Sequence, residues 1–116
     1  MAKESNEKQV SKISFEYKGV KYVLEYDRDS VMQAEKLFDL SIGEVRDLKL
    51  SSFDGLFRGA FLKHHSTVDQ DLVDEIMSRF TNKAELFKNL AAMYGTCVMS
   101  LLEEPEQGNG ISWTES

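Results

Sequence analysis

Ile13, Phe15 and Tyr17 alternate with Ser14, Glu16 and Lys18, and beyond Gly19 the apolar Tyr22, Leu24 and Tyr26 again fall on every second position. A period of two on both sides of a glycine predicts a β-hairpin with one buried face. Two registers fit. A Lys18-Gly19 turn pairs Phe15 with Tyr22, Ile13 with Leu24 and Glu16 with Lys21. A Gly19-Val20 turn pairs Tyr17 with Tyr22 and Phe15 with Leu24, but sets Lys18 against Lys21. The first gains an opposite-charge pair yet asks Lys18 for positive φ; the second suits glycine as the first turn residue. The charge pair favours the first.

After Tyr26 the period changes to that of helices. Asp27, Asp29 and Ser30 are all N-cap candidates, and Ser30 with Gln33 resembles a capping box. A short helix is predicted over residues 30–38, burying Val31, Ala34, Leu37 and Phe38. Residues 39–50 give mixed signals: Gly43 loosens them, while Leu40, Ile42, Val45 and Leu48 are spaced for partial burial. The clearest pattern comes next. Phe53, Leu56, Phe57, Ala60, Phe61 and His64 follow helical spacing without a miss, behind a cap at Ser51 or Ser52. Thr67 and Gln70 form a further capping box, with Asp69 and Asp71 near the positive helix end. That third helix is expected to bury Val68, Leu72, Ile76, Met77 and Phe80. Asn82 and Glu85 open the last helix, whose stripe is Leu86, Phe87, Leu90, Tyr94, Cys97, Val98 and Leu101, and Pro105 stops it.

A lone hairpin needs a cover for its apolar face. The pattern therefore predicts an α+β domain, an N-terminal β-hairpin packed against about four α-helices, over residues 13–104. Residues 1–12 read as a polar, flexible arm and residues 105–116 as a flexible tail. The tail holds the one tryptophan, Trp113, in an Ile111-Ser-Trp113 triplet behind Gly108 and Gly110. Two readings stand: a docking peptide anchored by Trp113 and Ile111, or a segment that folds back onto its own domain.

Composition narrows the function classes. Hydrophobic residues at 41% and charged residues at 29% describe a globular chain rather than a disordered one. A net charge of −6 argues against broad nucleic-acid binding. No apolar run is long enough for a membrane span, and the first residues lack the apolar stretch of a signal peptide. With Cys97 as the single cysteine, no intrachain disulfide can form, and a soluble, reduced, cytosolic protein is expected.

Candidate chemistry is sparse. His64 and His65 are adjacent, so one helix aims them about 100° apart, unlike metal ligands four residues apart. His64 continues the apolar stripe, and His65 is expected to face solvent or help end the helix. Cys97 reads as a small buried hydrophobe. Asp69, Asp71, Asp74 and Glu75 read as a solvated face with helix-start acids. Gly55 and Gly59, four apart, either cost helix stability or admit another helix or chain at close range. No catalytic constellation, cofactor motif or metal cluster emerges. Binding is the better starting idea.

Read in order, several segments are familiar: Phe15-Glu-Tyr-Lys-Gly-Val-Lys-Tyr-Val-Leu-Glu-Tyr26, Leu56-Phe-Arg-Gly-Ala-Phe-Leu-Lys-His-His65, Leu72-Val-Asp-Glu-Ile76, Leu90-Ala-Ala-Met-Tyr94, Leu102-Glu-Glu-Pro-Glu106, and the Gly-Asn-Gly-Ile-Ser-Trp113 tail. Over roughly residues 13–113 the chain resembles small tail assembly chaperones of long-tailed bacteriophages and prophages of Gram-positive bacteria. The likeness is weakest over residues 39–51 and the arm. It implies a non-enzymatic protein of the host cytoplasm that binds the tape measure protein, helps recruit tail tube subunits and is absent from the finished virion. A homo-oligomer is compatible with that role; nucleic acid and membrane are not expected partners. The alternative is a structural neck or tail protein of the virion. A small DNA-binding regulator is disfavoured, because the second of the paired central helices carries four acids against one base, Arg79.

Overall fold

The hairpin takes the register with the charge pair. In the computed structural model β1 (Lys12–Tyr17) runs antiparallel to β2 (Val20–Glu25), with Phe15 opposite Tyr22, Ile13 opposite Leu24 and Glu16 opposite Lys21. Lys18 at φ 52° and Gly19 at φ 80° both turn left-handed, as in the two-residue turn whose twist matches that of its strands. The structure describes residues 11–103 and 108–115. Most of the expected arm, residues 1–10, and the helix stop at Pro105 lie outside the described residues.

Five helices follow among the described residues, one more than the pattern predicted, and the architecture is α+β as expected. In α1 (Arg28–Phe38) the cap is Asp27, whose carboxylate accepts from Ser30 N while Asp27 N donates to Ser30 Oγ, each at 2.8 Å. Ser30 thus closes the box from the third position rather than opening it with Gln33. Val31 and Ala34 are buried, but Leu37 is 63% exposed, against expectation. It lies about 120° around the helix from Val31, off the core-facing stripe.

The ambiguous stretch condenses into α2 (Ile42–Arg46), capped by Ser41. It buries Leu40 and Val45, whereas Leu48, at φ 54°, is left exposed. The next helix, α3 (Ser51–Gly59), touches α1, α2, α4 (Gln70–Arg79) and α5 (Lys83–Leu101). Neither Ser51 nor Ser52 caps α3; the Ser52 hydroxyl is buried and has no hydrogen-bond partner among the described residues.

The clearest predicted helix is also shorter than its stripe. After Gly59 the chain tightens: Phe61 N donates to Arg58 O at 3.2 Å and Leu62 N to Gly59 O at 3.1 Å. These three-residue bonds wind the chain faster than an α-helix and shift every later position. Phe61 still enters the core, but His64 and His65 exchange environments. His64 is exposed, and His65 is half-buried against the Tyr22 ring, centroids 5.1 Å apart.

Asp69, not Thr67, caps α4. Its fully buried residues are Val73, which the pattern missed, and Ile76; Val68, Leu72, Met77 and Phe80 pack partly buried around them. In α5 the buried set is Leu86, Leu90, Met93 and Tyr94, with Phe87, Cys97 and Val98 partly covered. The rings of Phe57, Phe61, Phe80, Phe15 and Tyr22 pack mostly edge to face at 4.9–6.5 Å and join the hairpin to the helices. The acids of α4 also do more than face solvent. Arg58 donates to Asp54 at 2.9 Å, to Gln70 at 2.8 Å and to Asp74, tying α3 to α4. Glu75 accepts from the Tyr17 hydroxyl and pairs with Lys18 at 3.0 Å, tying α4 to the hairpin. No helix among the described residues is long and apolar enough to cross a membrane.

Candidate functional site

α5 needs only part of its circumference for the core. Leu86, Leu90, Met93 and Tyr94 form its buried stripe, and the helix contacts α1, α2 and α3. Beside that stripe run smaller residues, Ala91, Ala92, Gly95 and Thr96, followed by Met99. Side chains this short leave the surface of the helix low. α2 stands alongside and supplies the facing wall with Ile42, Val45 and Arg46, extended by Leu48. Positive φ at Leu48 turns the chain back after α2, which leaves this side chain at the rim.

The result is an open groove of about 710 Å³ between α2 and α5. Its lining is mostly apolar, with Arg46, Thr96, Ser100 and Glu103 as the polar members. Met99 is 62% and Leu48 41% exposed, and Leu50 and Leu102 are also exposed. An added side-chain carbon on Gly95 would meet nothing within 4 Å among the described residues, so the floor is open there. Large exposed apolar side chains around a concavity mark a surface that gains by being covered. Arg46 at one side and Glu103 at the other give the groove a charge polarity that would orient an occupant.

The predicted binding residues fall in two places, neither of them this groove. Ile111 is 93% and Trp113 82% exposed, so the tail triplet is not docked on its own domain. Gly55 and Gly59 are buried, so of the two alternatives, another helix or another chain, the space they leave is taken by this chain's own elements. A side-chain carbon on Gly59 would sit 2.6 Å from Tyr26 Oη and 2.8 Å from Ala34 Cβ; one on Gly55 would sit 2.9 Å from Leu40 Cδ2. The close approach these glycines permit is that of the chain's own α1 and the segment after it.

The histidines serve the hairpin. Nε2 of His65 accepts from Val23 N at 3.0 Å, and His64 pairs with Glu25 at 2.8 Å beside Lys63 at 3.1 Å. Burial, then the neighbouring His64, pushes the His65 pKa down. The hydrogen bond from His64 and the nearby Lys63 hold the Glu25 carboxyl below its ordinary range, against the opposing effect of burial. Cys97 Sγ donates to Tyr26 O at 3.2 Å, and burial raises its pKa, which disfavours the thiolate a nucleophile needs. Among the described residues, no three His, Cys, Asp or Glu side chains are grouped to hold a metal ion.

The groove was not read from the sequence. Its signal was the run of small residues at 91, 92, 95 and 96 within a helix otherwise rich in large side chains, followed by a methionine outside the core stripe. No curated protein and no solved structure matches the chain. A family model does match, over residues 1–116, and the chain belongs to the family it describes, the domain of unknown function DUF5055.

Proposed function

We propose that this protein is a non-enzymatic tail assembly chaperone of a long-tailed phage or prophage, acting in the host cytoplasm. In this reading the α2–α5 groove receives a helical segment of the tape measure protein, and the Ile111-Ser-Trp113 tail adds a second point of contact to the tape measure or to a tail tube subunit. The groove is the observation that carries the proposal. It is open, mostly apolar and walled by a helix on each side, the form that takes the apolar face of an amphipathic helix. The segment-by-segment resemblance over residues 13–113 supplies the identity of the partner.

The experiment is binding to the tape measure protein encoded with it, measured by calorimetry on purified proteins. Ala92 is exposed on the groove floor, so Ala92→Glu leaves the core intact while placing a charge where the occupant's apolar face would lie. It is expected to weaken binding about tenfold or more. Trp113→Ala is expected to cost about tenfold as well, with an unchanged melting temperature. Equal binding by wild type and Ala92→Glu would remove the groove from the mechanism. Presence of the protein at fixed copy number in purified virions would replace the chaperone reading with that of a structural neck or tail component.

A further inference from the structure

The two edges of the hairpin are treated differently. Tyr17 and Val20 flank the two-residue turn, so they form a hydrogen-bonded pair, and the pairs Phe15–Tyr22 and Ile13–Leu24 alternate with it. The main-chain groups of Lys21, Val23 and Glu25 therefore turn outward from β2. Two of these are engaged within the chain: Val23 N donates to His65 Nε2 and Glu25 N to Ala60 O, both at 3.0 Å. By the same geometry the main-chain groups of Lys12, Ser14 and Glu16 turn outward from β1. Among the described residues no backbone group outside the hairpin pairs with them. All three residues are exposed.

The apolar side of β1 is also unfinished. Tyr22 and Leu24 of β2 are buried, whereas their partners Phe15 and Ile13 are only half-buried. Beside β1 lies an open cleft of about 210 Å³, lined by Phe15, Ile76, Arg79 and Phe80 among others. A two-stranded sheet with one edge left unpaired, and its apolar margin left partly uncovered, among the described residues is a template for another strand.

We infer that β1 pairs with β1 of a second copy of this chain, antiparallel about a two-fold axis at Ser14, to form a four-stranded sheet in the order β2-β1-β1-β2. In this register Ser14 faces Ser14, and Lys12 of each copy faces Glu16 of the other. All of these are outward-turned residues, so the ladder closes with about six backbone hydrogen bonds, two for each hydrogen-bonded pair. Both charge pairs are of opposite sign, the cross-strand arrangement that stabilises a sheet. Ile13 of each copy falls opposite Phe15 of the other, on the face that carries the cleft. A slip of two residues in either direction abolishes both charge pairs, and parallel pairing would align lysine with lysine. One surface matching itself is what a two-fold dimer requires. A single strand edge covers little area, so the dimer is weak and depends on concentration.

Ser14 provides the test, because its side chain lies on the polar face and its cross-strand neighbour is uncharged Val23. Ser14→Lys and Ser14→Glu each set like charges against one another across the axis without a like-charged neighbour at the facing position of their own hairpin. Sedimentation equilibrium of the full chain, over about 10 μM to about 1 mM, should show dimers in the wild type. Each variant alone should dimerise about tenfold more weakly. An equimolar mixture of the two should recover or exceed wild-type association, because lysine then faces glutamate. Thermal melts by circular dichroism should show that both variants are folded. A wild type that stays monomeric over the whole range overturns the inference. So do variants that associate like the wild type, or a mixture no better than its components.

Discussion

Two helices of this protein carry glycine on a face next to the core, with opposite outcomes. On α3, Gly55 and Gly59 are filled: Tyr26, Ala34 and Leu40 occupy the space their missing side chains leave. On α5, Gly95 and its small neighbours are unfilled and form the floor of the groove. Glycine lowers helix stability wherever it sits. On α3 the return is tight packing that fixes α1 against α3, with the Tyr26 hydroxyl donating to Leu56 O at 2.7 Å. On α5 nothing within the described residues provides that return. The difference teaches that a small-residue face is a packing device or a vacant seat depending on what the rest of the chain brings to it.

The largest test of the filled side is Phe57→Ala. Phe57 is fully buried and its ring meets those of Phe61 and Phe80. The substitution should destabilise by about 3–5 kcal/mol in denaturant melts. A loss below about 1 kcal/mol would show that this side is loosely packed after all.

Gly59→Ala is the sharper probe. The new methyl group would overlap Tyr26 Oη and Ala34 Cβ, and neither can yield easily: the hydroxyl is held by Leu56 O, and Ala34 is fixed to α1. A destabilisation of about 1–3 kcal/mol is expected from overpacking, although alanine is intrinsically the better helix former. A stabilised variant would break the contrast between the two helices.

His65 tests how β2 is held. Its Nε2 can accept from Val23 N only while unprotonated, and burial lowers its pKa in the folded chain. The unfolded chain takes up that proton near pH 6.5 and the folded chain only at lower pH. Between those values the unfolded state binds more protons, so stability falls as pH drops below about 6.5 and recovers above it. His65→Gln keeps an acceptor without titrating there. Urea melts at about pH 7.5 and about pH 5.5 should show a smaller acid-side loss for the variant than for the wild type. His65→Ala should cost about 1–2 kcal/mol at neutral pH, through the unpaired Val23 N and the lost contact with Tyr22. Identical pH slopes in wild type and His65→Gln would detach His65 from the edge.

The smallest effect belongs to the open side. Gly95→Ala meets no neighbour and should stabilise by about 0.5–1 kcal/mol, in opposite sign to Gly59→Ala. A destabilised Gly95→Ala would mean that the groove is closed in solution.

The hairpin was legible because its signals are local. Alternation set the buried face, and the Glu16–Lys21 pair favoured, of two registers, the one that the fold uses. The positions of the four longer helices were legible for the same reason, since each stripe and breaker lies within its own segment. The short α2 was not, because Leu40 and Val45 become core only through the α3 and α5 side chains packed over them. The phase of His64 and His65 was lost at Gly59, where the chain tightens within hydrogen-bonding reach of β2; helical counting has no term for that. Which caps form was also undecided, since Asp27, Asp29 and Ser30 are equally able locally and only the exit from β2 chooses Asp27.

The sequence by itself determined an α+β chain and its dominant apolar stripes, and it narrowed the hairpin to two registers. Only the tertiary structure decided that the glycines of α3 are filled from within, that small residues on α5 lie open beside α2, and that, among the described residues, β2 has backbone partners outside the hairpin and β1 has none. Periodicity records which side of an element is apolar. Whether that side is then covered depends on residues distant in the chain, and on whether they are large enough to reach it.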